Sequence, residues 1–189
     1  MTIFLVLAPY AAFATLMLLT SATVSLLSAA LICLGVIAID IARGRSIKIL
    51  GVGSVIVFAA IGGYLLLVDA TLSTTAVRIA VDAGIAMVSL LSIVFRHPFT
   101  QQYAVEEVDA EVAKLPGFTQ ANYLITWAWT GAALLMMVGN IAVLYVPALP
   151  LWTGLLVTFA ARNGAVCFTK WYPQYRMTRT SPANALPSR

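Results

Sequence analysis

The stretch ATVSLLSAALICLGVIAIDIARGRSIKILGVGSVIVFAAIGGYLLLV, residues 22–68, consists of two apolar runs separated by a short basic turn. Each run is close to the ~20 residues that cross a hydrocarbon core of about 30 Å as an α-helix. Within lipid, every backbone N–H must find a partner inside its own segment, so helix is the only open-chain solution. We therefore predict two membrane-spanning helices, joined by a loop that carries Arg43, Arg45 and Lys48.

The same pattern extends through most of the chain. Residues of the set AVILMFWYC make up 61% of the sequence and charged residues only 10%, against about 25% charged residues in soluble domains. This excludes a soluble enzyme, a disordered chain and a secreted disulfide scaffold. We predict an all-α, polytopic integral membrane protein, with one domain of six transmembrane helices over residues 1–170 and a largely disordered tail over 171–189. The six apolar segments are Ile3–Thr20, Ala22–Ala42, Ile49–Val68, Thr75–Phe95, Ala121–Val146 and Leu151–Lys170.

The distribution of lysine and arginine predicts the orientation. With six spans, all the basic loops fall on one side, whereas Asp69–Thr74 and Pro147–Pro150 contain neither residue type. The positive-inside rule then places both termini in the cytoplasm. The net charge of +4 follows from these loops. The sequence has no basic face with interleaved aromatic residues, so we do not expect nucleic-acid binding. The expected partners are the lipid bilayer and other membrane proteins, with self-association as an alternative.

The longest polar connection is the cytoplasmic loop 96–118. Its apolar residues Val105, Val108, Val112 and Leu115 recur at helical spacing, which predicts a short amphipathic helix at the cytoplasmic membrane surface. A solvated connector is the alternative interpretation. Acidic side chains are repelled by anionic lipid, so contact with another protein is favoured over contact with headgroups. The predicted contact residues are Arg96, His97, Glu106, Glu107, Asp109 and Glu111.

Polar residues at membrane depth are costly and are therefore the best functional candidates. Asp82, Asn140 and Arg162 lie at compatible depths in the fourth, fifth and sixth segments. We expect Arg162 to face the interior and pair with Asp82, with Asn140 nearby. Arg78, one turn before Asp82 on the same helix, is a competing partner for Asp82. Such a cluster serves either helix packing or a substrate path. Asp40, at the end of the second segment, is predicted to be a solvated end charge.

Nothing in the sequence predicts catalysis. The single histidine, His97, has no nearby serine nucleophile, and no glycine-rich phosphate loop is present. Cys33 and Cys167 lack metal-binding spacing. We therefore expect no enzyme activity, no metal and no cofactor.

The layout resembles the intracellular septation protein A family of bacterial inner-membrane proteins. The residues that carry the resemblance are Pro9, the basic turn Arg43-Gly44-Arg45 to Lys48, the run Arg96-His97-Pro98-Phe99-Thr100-Gln101, the pair Phe118 and Asn122, and Asn140-Ile141. The acidic stretch Glu106–Glu111 departs from the family's pattern. The resemblance implies a multi-pass protein of the cell inner (plasma) membrane that acts in envelope maintenance or division through protein contacts.

Two functions follow from these observations. The preferred one is a non-enzymatic protein that supports cell-envelope or septum assembly by binding other membrane proteins. The alternative is a small solute or ion transporter or channel that uses Asp82, Asn140 and Arg162. A water-filled cavity that reaches Arg162 would favour the transporter, whereas a dry, packed interior would favour the assembly role.

Overall fold

The computed structural model describes residues 2–180, and side chains within residues 7–150 and 152–176. Every regular element in that part of the chain is an α-helix, so the all-α prediction is confirmed. The helices are α1 Thr2–Leu19, α2 Ala22–Ala42, α3 Ile49–Leu67, α4 Thr74–Val94, α5 Phe99–Ala104, α6 Ala110–Ala113, α7 Pro116–Tyr145 and α8 Leu151–Thr180.

Four of these helices, α2, α3, α4 and α7, are long and apolar enough to cross a membrane. Their outward faces carry large apolar side chains such as Leu31, Ile56, Met87 and Val138, each more than half exposed. Exposed apolar surface on this scale is typical of contact with lipid. In α1, the part whose side chains the structure describes, Leu7–Leu19, is apolar but shorter than the four helices above, and Arg162-Asn163 interrupts the apolar run of α8.

The long helices pack in succession as an arc. Each of α1, α2, α3, α4, α7 and α8 packs against the next one in that order. In the described residues, α1 and α8 stand at the two ends of the arc and share little direct packing. The loops 43–48 and 95–115 meet at one end of the bundle, here called the basic end, because Lys48 contacts Glu106. The loops 68–73 and 146–150 form the far end.

Glycines allow α3 and α4 to approach each other closely. A Cβ atom added at Gly84 of α4 would lie 2.6 Å from a methyl carbon of Val57 on α3, and one added at Gly53 would lie 2.5 Å from a methyl carbon of Val88. Each of the two helices thus packs a valine against a glycine of the other. Such small residues let membrane helices pack closely by van der Waals contact.

Two helices at the basic end finish in the same way. After α2, Gly44 has φ 68°, and the amides of Gly44 and Arg45 donate to the carbonyls of Ile41 and Asp40. After α4, Arg96 takes the same place with φ 60°. This is the left-handed helix ending that glycine usually occupies, so the backbone at Arg96 is strained.

The loop 96–118 does not form the single amphipathic helix that its apolar spacing predicts. It contains two short helices, α5 and α6, and Asp109 between them has extended backbone angles. Val105, Val108, Val112 and Leu115 are all exposed, whereas Phe99 and Thr100 are buried. The reason is that α5 docks on the bundle through its first turn. The apolar residues that follow are therefore not held against the bundle as one helical face.

The last two long helices extend beyond their predicted bounds. The helix α7 begins five residues before the predicted Ala121, because Pro116 at its first turn is preset for helix. The helix α8 continues to Thr180 rather than ending at Lys170, with Pro173 inside it. Residues 171–180 are therefore helical where a disordered tail is predicted. Stacking of Trp171 on Tyr175 accompanies this extension, and residues 181–189 lie outside the described residues.

Candidate functional site

The arc of helices surrounds a partly open cavity of about 810 Å³. Its walls come from α1, α4, α7 and α8, and the segment 99–118 closes it at the basic end. Apolar side chains such as Val81, Ile85, Ile125 and Met136 form most of the lining. A cavity of this size falls within the range of about 300–1,000 Å³ that is typical of small-molecule sites.

Asp82 and Asn140 meet on the wall of this cavity. The Asn140 side-chain amide donates a hydrogen bond of 2.8 Å to the Asp82 carboxylate, across the interface of α4 and α7. Both residues are buried. A buried carboxylate without a hydrogen-bond partner is costly, so this contact fixes the relative position of the two helices.

A row of hydroxyl groups continues the same interface towards the basic end. The Ser89 hydroxyl lies 2.6 Å from that of Thr130, and the Thr100 hydroxyl lies 2.8 Å from that of Thr126. All four side chains are buried. The polar atoms of these residues are thus satisfied within the bundle, and the two hydroxyl pairs join α4 and α5 to α7.

Arg162 turns inward from the middle of α8. Its guanidinium lies 5.9 Å from the centre of the Tyr10 ring on α1, a cation–π geometry. The Tyr10 hydroxyl in turn hydrogen-bonds the Ser54 hydroxyl of α3, which holds the ring in place. Arg162 thereby bridges the two ends of the arc, α1 and α8.

The structure brings all four residues of the predicted polar cluster to one cavity, but not in the predicted pairing. Among the described residues, no ion pair within 4.0 Å involves Arg78, Asp82 or Arg162. The predicted Arg162–Asp82 pair is therefore not an ion pair within 4.0 Å: Asp82 bonds Asn140, and Arg162 faces Tyr10. Both arginines still attract the Asp82 carboxylate through space. The physical reason is that depth along a helix does not determine which way each side chain faces around it.

A second polar cluster, at the basic end, is one that the sequence did not predict. The Lys48 ammonium, 3% exposed, lies 2.9 Å from the Asp40 carboxylate and 3.1 Å from that of Glu106. Arg45 lies 3.6 Å from Asp40 and 3.8 Å from Glu106. Asp40 is accordingly not the solvated end charge that its position predicts. The only sequence signal is the i, i+8 spacing of Asp40 and Lys48 around a tight turn.

The segment α5 is held against this cluster by two further contacts. The Gln102 side chain accepts a hydrogen bond of 2.8 Å from the Ile49 amide and so caps the start of α3. Lys48 lies 5.3 Å from the centre of the Tyr103 ring. Burial raises the pKa of the Tyr103 phenol well above its ordinary value, so the ring faces Lys48 in its neutral form.

The predicted partner-contact residues of the loop 96–118 divide into two groups. Glu106 is engaged within the chain by Lys48 and Arg45, and Glu107 lies on the cavity wall. The other group lies on the surface, where Glu111 pairs with Lys114 at 2.9 Å. This group consists of Arg96, His97, Asp109 and Glu111.

Comparison of the chain with protein-family models, curated proteins and solved structures finds no match. The septation-family resemblance therefore stays a prediction. Within the described residues, no group of three or more histidine, cysteine, aspartate or glutamate side chains is placed to hold a metal ion. The site is thus defined by its own geometry: an apolar cavity with two arginine side chains and one aspartate side chain in its wall.

Proposed function

We propose that the protein is a six-span membrane protein whose bundle binds a small solute in the cavity beside Arg162, as a transporter or channel does. The observation that carries this proposal is the cavity of about 810 Å³ that reaches Arg162, Arg78 and Asp82. A tightly packed interior would instead have favoured a role in assembly alone. Charged residues at membrane depth are typical of solute and ion pathways.

The proposal requires that α1 and α8 cross the membrane with the other four long helices. Support comes from their packing: α1 lies against α2, and α8 lies against α7, both of which are long and apolar enough to span. Arg162 faces the cavity, which removes the main cost of placing α8 in lipid. Both termini then lie on the basic end, which we assign to the cytoplasmic side of the plasma membrane.

Access of water to the cavity tests the proposal directly. In a background of Cys33→Ala and Cys167→Ala, we would compare Thr158→Cys with Phe159→Cys in proteoliposomes. Thr158 lines the cavity one turn before Arg162, whereas the neighbouring Phe159 is 68% exposed on the outer surface of the helix. A charged, membrane-impermeant methanethiosulfonate reagent should modify Thr158→Cys and leave Phe159→Cys intact. No modification of Thr158→Cys from either side of the membrane would contradict the proposal.

A role in envelope or septum assembly, without enzymatic activity, stays the alternative prediction. The surface group Arg96, His97, Asp109 and Glu111 is the part of the loop that a protein partner could contact. Neutralising Asp109 and Glu111 together should then weaken capture of a partner without loss of membrane insertion, whereas Glu106 is excluded from this test by its internal ion pairs.

A further inference from the structure

The part of the cavity lined by Arg78, Asp82 and Arg162 is here called its deep end, and its charge balance indicates what kind of solute fits. Two arginines, Arg78 and Arg162, and one carboxylate, Asp82, line the same cavity, which leaves an excess of one positive charge. The Asp82 carboxylate is satisfied by the Asn140 amide. Neither guanidinium has an ion-pair partner within 4.0 Å among the described residues.

A guanidinium inside an apolar bundle is stabilised by a bound anion. Charge transferred from water into an apolar environment is costly unless it is paired and hydrogen-bonded. The planar guanidinium has a geometry that matches a carboxylate or phosphate through two parallel hydrogen bonds. The Tyr10 ring occupies one side of the Arg162 guanidinium, and the cavity lies beside it.

The rest of the cavity favours an apolar chain. Between the arginines and the basic end, the walls are formed by residues such as Val81, Ile85, Ile125, Ala133 and Met136. At the basic end the lining becomes polar again with Glu107 and Arg176, and the Arg176 guanidinium donates to the Gly117 carbonyl at 2.9 Å. A solute that fills this space therefore has one anionic group at the deep end and an apolar body.

We infer that the cavity binds a monoanionic amphiphile, whose carboxylate or phosphate lies between Arg78 and Arg162 and whose hydrocarbon chain lies along α4 and α7. This inference rests on the proposed function, because it names the class of solute that the same cavity takes. The anion comes either from a free amphiphile or from an anionic lipid of the bilayer, since both present the same chemistry.

The test uses three probes that share one tail. These are 11-(dansylamino)undecanoate, its neutral primary amide, and the analogue with a trimethylammonium group. The protein is reconstituted in phosphatidylcholine nanodiscs. Trp129 is kept as the single tryptophan because it lines the cavity, and the other tryptophans are replaced by phenylalanine. Energy transfer from Trp129 to dansyl, corrected for empty nanodiscs, reports binding. We expect the anion to bind at least tenfold more tightly than either analogue.

Two variants change the charge in opposite directions. Arg162→Gln should weaken binding of the anion about ten- to hundredfold, the usual effect of losing a charge-assisted hydrogen bond. Asp82→Asn, which removes the competing negative charge, should tighten it. Merely structural damage would weaken binding in both cases. Lys170→Gln, on the exposed surface of α8, is the matched control and should leave binding unchanged.

The outcomes separate this inference from the function on which it rests. If the neutral or cationic probe binds as tightly as the anion, the inference is wrong and solute binding stands. If no probe gives energy transfer and Thr158→Cys is unreactive, both are wrong. Phosphatidylglycerol added to the nanodiscs distinguishes the two sources of the anion. Competition with the probe identifies a lipid headgroup, and unchanged binding identifies a free amphiphile.

Discussion

The Asn140 amide donates a hydrogen bond of 2.8 Å to the Asp82 carboxylate, and this contact joins α4 to α7 within the wall of the cavity. Because both residues are buried, the carboxylate has no ready replacement for this partner. The contact therefore has two consequences. It stabilises the interface between two spanning helices, and it holds Asp82 beside the two arginines without a direct ion pair.

Replacing Asn140 by leucine should lower the free energy of unfolding. Leucine cannot donate to the Asp82 carboxylate, and a buried polar group left without its partner costs about 1–3 kcal/mol. Thermal unfolding in detergent, followed by intrinsic fluorescence, measures the loss. Asn163→Leu is the control, because Asn163 is exposed and bonds only the Phe159 carbonyl of its own helix. Equal melting temperatures for the two variants would argue against a structural role for the Asp82–Asn140 contact.

Replacing Lys48 by methionine should destabilise the protein more strongly. The buried ammonium forms ion pairs with both Asp40 and Glu106, and breaking a buried pair from one side costs about 3–5 kcal/mol. Lys114→Met is the control, since its pair with Glu111 is largely exposed and should contribute at most about 1 kcal/mol. Adding Glu106→Gln to Lys48→Met should restore part of the stability. A double variant no more stable than Lys48→Met alone would contradict the charge explanation.

Replacing Gly84 by alanine should separate α3 from α4. The added Cβ would lie 2.6 Å from a methyl carbon of Val57, and overpacking of this kind costs about 1–3 kcal/mol. Gly63→Ala is the matched control, because a Cβ there meets no atom within 4 Å. Both melting temperatures are measured in the same detergent. Val57→Ala combined with Gly84→Ala should recover stability, and a failure to recover would show that the clash is not the cause.

Replacing Arg96 by glycine should raise stability. Arg96 has φ 60°, where glycine has no steric cost, and relief of such strain is worth about 1 kcal/mol. Gly44→Ala, at the equivalent position after α2 with φ 68°, should lower stability by a similar amount. His97→Gly controls for the loss of a side chain from the same turn. Chemical or thermal unfolding with opposite signs at positions 96 and 44 is the expected result.

The ends of the spanning helices were predictable because their causes are local. A run of about 20 apolar residues must be helical in lipid, and turn residues such as Ser21 and Gly44 stop it where they occur. The structure places α2 at the predicted Ala22–Ala42. The start of α7 and the end of α8 differ, since polar ends outside the apolar run are free to continue as helix.

The position of each polar residue along its helix axis could also be predicted from the sequence, because a helix rises about 1.5 Å per residue. Counting along α4 and α7 is enough to set Asp82 level with Asn140, and the structure joins them. Rotation about the helix axis is a different quantity, set by packing of the neighbours. It turns Arg162 towards Tyr10. The direction of this side chain cannot be predicted by counting residues along α8.

The ion cluster at the basic end could not be predicted from the sequence, because it forms only when the chain folds. Lys48 and Glu106 are separated by two spanning helices in the sequence, and they meet because α3 and α4 return the chain to the same end of the bundle. The cavity arises in the same way, as space left between α1 and α8, which stand at the two ends of the arc and share little direct packing. Local composition determines which segments form helices long and apolar enough to cross a bilayer, whereas contacts between distant segments depend on how the helices are arranged around one another.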